Sequence, residues 1–285
     1  MKKISAVVMW KIKYNQFKSH NLLWLIFLCT IIISPGKTTL NAAEFTIDLK
    51  SYSYEELDSN NQFFMSDKSS DPFVGFGIRE WDLGVFKDSH NRSLWKLLYT
   101  IEYSKGRVNY TSNGTGTMVK NYYRGRLETY LSKEIYVNKK RARPYIGLGY
   151  RELFDNSANQ VTSTGAIGYN RVSQYYFLPV GMIWYINEFW SLKSQYNYLF
   201  QGKQTSYIKD AIPATYNVNP VNTQSIGGGF DFTLNKKLTS NWIYYGFIRY
   251  WDLGASDAVS CSASSNCIEP KNSTSEIGVG ISFSF

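Results

Sequence analysis

Histidine is almost missing from this 285-residue chain. His20 and His90 are the only two, and only His90 falls beyond the first 43 residues. It sits in Asp88-Ser89-His90, but neighbours in sequence do not make a catalytic triad, which needs Ser–His and His–acid hydrogen bonds in space; turns carry Asp and Ser for backbone reasons alone. Cysteine is equally sparse, at three, with no Cys-x-x-Cys and no paired histidines at metal spacing, so no metal or cofactor is expected. No glycine-rich phosphate loop precedes a helix; Gly227-Gly228-Gly229 falls within a strand pattern, where glycine marks a kink or a close approach. Proline is scarce, at seven, and neither linkers nor low-complexity tracts break the chain. The longest apolar run, Leu22–Ile33, is shorter than the ~20 residues a membrane-spanning helix needs.

That run has a different expected role. Met1–His20 carries Lys2, Lys3, Lys11, Lys13 and Lys18 and no acid; Ser34-Pro35-Gly36 ends the apolar stretch, and Leu40-Asn41-Ala42-Ala43 offers small residues for cleavage. Residues 1–43 are therefore expected to be a secretory signal peptide, with a membrane anchor as the alternative and Met9 as an alternative start. Cys29 follows the bulky Phe27 and Leu28, which do not suit a lipoprotein box. Without these residues the formal charge falls from +9 to +3. Most of the basic surplus is thus targeting signal, and nucleic acid is not expected as a partner.

The remaining chain alternates in ten segments, at about 44–54, 72–83, 93–110, 119–132, 144–154, 172–186, 190–201, 224–234, 242–252 and 274–285. In the third, Trp95, Leu97, Tyr99, Ile101 and Tyr103 oppose Lys96, Thr100 and Glu102. Period-two alternation means strands with one apolar face, and each segment reaches the ~9–11 residues a tilted strand needs to cross a bilayer. The connections expected after odd strands are long (55–71, 111–118, 155–171, 202–223, 253–273), and those after even strands mostly shorter (84–92, 133–143, 187–189, 235–241). Trp81, Trp95, Trp184, Trp190, Trp242 and Trp251 fall near segment ends, where membrane barrels place aromatic girdles.

The last nine residues carry a resemblance. Ile277, Val279, Ile281, Phe283 and Phe285 alternate with Gly or Ser, and the chain stops on an aromatic. This resembles the closing strand of bacterial outer-membrane β-barrel proteins, where a terminal aromatic after alternating apolar residues is the address read by the barrel-assembly machinery. The resemblance implies an all-β protein: a single transmembrane antiparallel up-and-down β-barrel over residues 44–285. About ten strands are expected, with eight or twelve as alternatives, and a soluble sandwich is the competing fold. It also implies the outer membrane of a diderm bacterium, with outer-membrane lipids and lipopolysaccharide as surroundings.

In such a barrel Arg79, Glu102, Arg124, Arg126, Glu128, Arg151, Lys193, Asp231 and Glu276 would face the lumen, as a polar pore lining or as a paired structural network. Cys261 and Cys267, with five residues between them in the last long loop, read as a disulfide in an exported protein. The omptin proteases among ten-stranded barrels use Asp pairs and an Asp–His pair at the outer rim, and this chain has no His in any expected outer loop. Three functions are weighed: a non-enzymatic structural or narrow porin-like barrel; an adhesin or receptor whose long loops bind an extracellular ligand; and, less favoured, an outer-membrane hydrolase.

Overall fold

The computed structural model describes residues 43–82, 86–87 and 93–284. His90, Phe285 and all but Ala43 of the expected signal peptide lie outside them.

Ten antiparallel staves close a barrel. They are β1 (Glu44–Leu57); β2 (Phe63–Ser69) continued by β3 (Phe73–Asp82); β5 (Ser93–Ser112); β6 (Gly116–Ser132); β8 (Lys140–Asn156); β9 (Arg171–Tyr185); β10 (Trp190–Ser206); β11 (Val221–Gln224) continued by β12 (Gly227–Lys237); β13 (Trp242–Leu253); and β16 (Lys271–Ser284). Each stave pairs with its sequence neighbours, and β16 closes the ring on β1 in register from Glu44↔Ser284 to Leu57↔Lys271. Closure leaves no open sheet edge, as a membrane-spanning sheet requires. Short pieces complete the chain: β4 (Phe86–Lys87), β7 (Ile135–Val137), the single-turn α1 (Ile208–Ala211), and a small hairpin of β14 (Ala258–Ser260) and β15 (Asn266–Ile268). The β8–β9 ladder joins Ile146 to Val180 and Gly149 to Phe177 but skips the step at Pro179, which has no N–H to give. Gly227 opens β12 at φ +133°, a conformation that favours glycine.

The outward rows define a belt. Phe45, Ile47 and Leu49 on β1, Phe230, Phe232 and Leu234 on β12, and Ile277 and Val279 on β16 are 43–65% exposed. Val180 and Tyr198 share this outer face. From Trp242 to Tyr250 the chain climbs about 27 Å at ~3.4 Å per residue. At the usual ~40° tilt that is about 21 Å along the membrane normal, close to the ~25 Å band of such barrels. A sheet closed on itself with a continuous apolar outer belt is a transmembrane β-barrel.

Beyond that belt, toward one end, the two faces exchange polarity. On β1 the outward row turns to Ser51, Ser53 and Glu55 while Tyr52 and Tyr54 are buried inside. On β5 it turns to Lys105, Arg107 and Asn109 while Val108 is buried inside. There the wall stands in water, so the apolar residues must be interior. This is why several expected loops are strand instead. Of 55–71, only 58–62 and 70–71 are irregular; 111–118 shrinks to the turn 113–115; and 202–223 shrinks to 207–220, with β10 running to Ser206. Loops 157–170 and 254–270 remain long. At the opposite end, 133–143 holds the tight β7–β8 hairpin.

Trp251 differs from the girdle expectation. It is 1% exposed and inside the barrel, whereas Trp95, Trp184 and Trp242 are on the outer face. Its neighbours in sequence, Tyr250 and Asp252, take the outward positions.

Candidate functional site

The interior is stacked in tiers. At the turn end a cavity of about 300 Å³ reaches inward, lined by Glu44, Arg141, Tyr185, Lys193 and Lys237 among others, and its floor includes Arg126, Glu128, Asp231 and Arg249. The Lys193 ammonium lies 4.6 Å from the Tyr130 ring and 5.2 Å from the Tyr145 ring, and donates to the Tyr130 hydroxyl at 3.3 Å. Aromatic faces stabilise such a cation where water is scarce.

The floor is an ion-pair layer at belt depth. Arg249 from β13 donates twice to Glu102 on β5, at 2.6 and 2.8 Å, across the lumen. Arg79 reaches the same carboxylate at 3.3 Å. Arg126 bridges Glu128 on its own strand and Asp231 on β12. Arg124 pairs with Glu276 on β16, which also stands 3.8 Å from Arg249. Lys50 pairs with Asp48 at 2.9 Å. Gln195 donates to Glu128 at 2.9 Å and accepts from Tyr145 at 2.9 Å. These charges are buried and joined crosswise, as charges taken from water must be.

Above this layer lies an apolar core. Tyr52, Phe73, Tyr122, Leu153, Tyr175, Phe177 and Trp251 are at most 3% exposed and form one cluster. Gly149 makes room for it, since a Cβ there would sit 2.3 Å from the Phe177 ring. Arg151 is fully buried at the join of the two tiers, 5.0 Å from the Trp251 ring and 5.5 Å from that of Tyr175. Its guanidinium nitrogens make no hydrogen bond among the described residues.

The fourth tier closes the mouth. Lys120 pairs with Asp67 at 3.0 Å and Asp155 at 2.6 Å. Arg171 pairs with Glu56 at 2.6 Å and Asp155 at 3.3 Å, and lies 3.9 Å from Glu269 in loop 254–270. The Tyr54 hydroxyl is 2.8 Å from both Glu56 and Glu269. It carries one proton, so the second contact requires a proton on a carboxyl. Burial, then the neighbouring Glu56 carboxylate, push Glu269 up to about 8, which supplies that proton at neutral pH. Gln204 donates to the other oxygen of Glu269.

The lip itself is tied by hydrogen bonds. Ser163 and Thr164 of loop 157–170 hold the 113–117 turn through Thr117 and Thr115. The Tyr207 amide donates to Asn170 and the Asp257 amide to Thr223. Asn222 donates to the carbonyls of Asp257 and Cys267, at 2.9 and 3.0 Å. Cys261 and Cys267 are joined as a disulfide across the β14–β15 hairpin.

Arg79, Glu102, Arg124, Arg126, Glu128, Arg151, Lys193, Asp231 and Glu276 all point into the barrel, and all but Arg151 and Lys193 pair directly with opposite charges. Sequence reading did not include Asp67, Lys120, Asp155, Arg171 and Glu269 among lumen charges. Their segments looked like strand ends and loops, and the exchange of faces that buries them is not local. Ile277, Val279 and Ile281 face outward, with Phe283 against Trp242 at 4.8 Å between ring centroids.

At one tier Arg124, Arg151, Asn197 and Glu276 are each 0–3% exposed, and the aromatic cluster above it is equally shut off from water.

No protein-family model and no curated protein matches the sequence. Among solved structures, the transport unit of the autotransporter AIDA-I from Escherichia coli is similar at TM-score 0.42 and 8% identity, over 90% of this chain and 94% of that one. Ail, the attachment invasion locus protein of Yersinia pestis, is similar at TM-score 0.31 and 9% identity, over 87% and 100%. The toluene transporter TodX of P. putida is similar at TM-score 0.32 and 10% identity, over 86% and 90%. Such identities and TM-scores leave the assignment on the barrel's own geometry.

Proposed function

We propose that this protein is an integral outer-membrane barrel without enzymatic activity, exported by its N-terminal signal peptide and inserted by the barrel-assembly machinery. Its lumen is shut at rest, and its work is done by the outer lip as a surface that binds an extracellular ligand. The observation that supports this best is the packed waist, where paired charges and an aromatic core fill the cross-section. A porin keeps such charges in water; here they are spent on one another. The hydrogen-bonded, disulfide-tied lip supports a binding role, because a preordered surface loses less entropy on association.

A second reading, a gated narrow pore, draws on the 300 Å³ cavity that leads from the turn end to the ion-pair layer. Planar-bilayer recording separates the two. The purified barrel is expected to be electrically silent across physiological voltages while intact cells or vesicles bearing it adhere to host matrix or cells. Steady discrete openings in the wild-type protein would overturn the closed-barrel reading.

A further inference from the structure

The lipid-facing belt is not evenly clothed. On β13 the outward row reads Trp242, Tyr244, Gly246, Ile248 and Tyr250, so one side chain is missing at mid-row. Gly246 registers with Leu234 on β12 and Val279 on β16. A Cβ placed on it would find nothing nearer than the Gly278 carbonyl at 3.9 Å, so the gap is open space and not a tight contact. Around it runs a groove of about 900 Å³ that extends over the outer faces of β10, β12, β13, β16 and β1, walled nearest Gly246 by Phe232, Leu234, Ile248 and Val279.

The turn-end extremity of this groove is cationic. Lys236 follows Leu234 in the outward row of β12, is exposed, and holds its ammonium 5.3 Å from the Trp190 ring. Lys236 registers with Tyr244. From there to Ile248 the groove climbs about 14 Å along the strand at ~3.4 Å per residue, or about 10 Å of depth at the usual ~40° tilt. Half the hydrocarbon thickness is about 15 Å. Lys236 registers with Trp190, the first residue of β10, and stands one residue before the end of β12, so the cation lies beside the turns on a stem long enough to reach the headgroups, and the slot runs beside the tail region of the same leaflet.

We propose that this groove is a specific phospholipid site: one acyl chain lies over Gly246 between Leu234 and Val279, and the lipid phosphate rests on Lys236 beside Trp190. The occupant follows from complementarity. The slot is apolar and opens to hydrocarbon; of the two charged residues along it, Asp48 is buried against Lys50, and the exposed one, Lys236, is a cation where a phosphate must lie. An acyl chain gains close contact along a slot that no side chain fills, and an ammonium near a membrane surface favours an anionic headgroup.

The test uses the full barrel reconstituted in vesicles of phosphatidylethanolamine and phosphatidylglycerol in equal parts, extracted in mild detergent and weighed by native mass spectrometry. The wild type is expected to retain one phospholipid. Gly246→Leu fills the slot at a position with room for it, so the variant should fold with normal heat-modifiable mobility yet lose the bound lipid. Lys236→Gln should lower retention of phosphatidylglycerol about fivefold, and high salt should lower the wild type to the same level. Unchanged retention in both variants would reduce the groove to ordinary annular contact and overturn the proposal. A wild-type dimer that Gly246→Leu converts to monomer would also overturn it, by assigning the slot to a second copy of the chain.

Discussion

Removing Glu276 should damage this barrel more than removing its partner Arg124. Glu276 is 2% exposed, accepts from Arg124, and stands 3.8 Å from Arg249. Breaking a buried pair by deleting one member costs about 3–5 kcal/mol, because the survivor remains buried and uncompensated. The two deletions are not equivalent. Without Arg124, Glu276 keeps Arg249 at its side. Without Glu276, Arg124 has no carboxylate within 4.0 Å among the described residues, and Arg249 retains only Glu102. The wider layer is also cation-rich: Lys50, Arg79, Arg124, Arg126, Arg151, Lys193 and Arg249 outnumber Asp48, Glu102, Glu128, Asp231 and Glu276. Glu276→Ala is therefore expected at the upper end, about 5 kcal/mol, and Arg124→Ala nearer 3. The double variant should cost less than the two summed, by about 1–3 kcal/mol of coupling. The assay is urea unfolding of the barrel in lipid vesicles, followed by tryptophan fluorescence, with gel mobility as the check on insertion. A Glu276→Ala cost below about 1 kcal/mol, or a larger cost for Arg124→Ala, would refute the paired-network account.

Val180 and Val172 occupy the same outward row of β9, with Val180 in the belt and Val172 above it. Arg at 180 should therefore cost about 2–4 kcal/mol and Arg at 172 no more than about 1, by folding into vesicles; equal penalties would displace the belt. Replacing Cys261 and Cys267 together by Ser opens a ring of sequence separation 6, and should lower barrel stability by at most about 2 kcal/mol without affecting insertion. A collapse in unfolding midpoint would contradict this. Glu269 holds its proton up to about 8 in the closed loop, against the usual 4.5 of a free carboxyl. Between those values closure takes up a proton, so loop 254–270 should hold most tightly at about pH 4.5 and below, loosen as pH rises from there to about 8, and change no further above it. Hydrogen exchange of the loop amides, corrected for intrinsic rate, should show this slope, and Glu269→Gln should abolish it. Deleting Phe285 should lower outer-membrane yield without destabilising barrels already inserted. Normal yield would remove the assembly-address reading of the last strand.

Period-two alternation determined, from sequence alone, that the chain makes strands, where most of the ten staves lie, and which residues share a face. Side chains on a strand alternate whatever surrounds them, so Arg124, Arg126 and Glu128 had to share one face, and Tyr123 and Leu127 the other. Alternation does not say which face meets lipid, water or core. That depends on height in the membrane, and height is set only when the sheet closes. Hence Trp251 read as girdle, although it follows the alternation of β13 into an aqueous part of the barrel where the apolar face turns inward; the strand at 63–69 read as loop because it lacks that alternation, burying Met65, Ser66 and Asp67 in succession while Phe64 is exposed. Partners across the lumen were equally out of reach. Arg124 and Glu276 are 152 residues apart, and Tyr54 and Glu269 are 215 apart. Those pairs meet because a ring of ten staves has a fixed width, and no local pattern in the chain records that width.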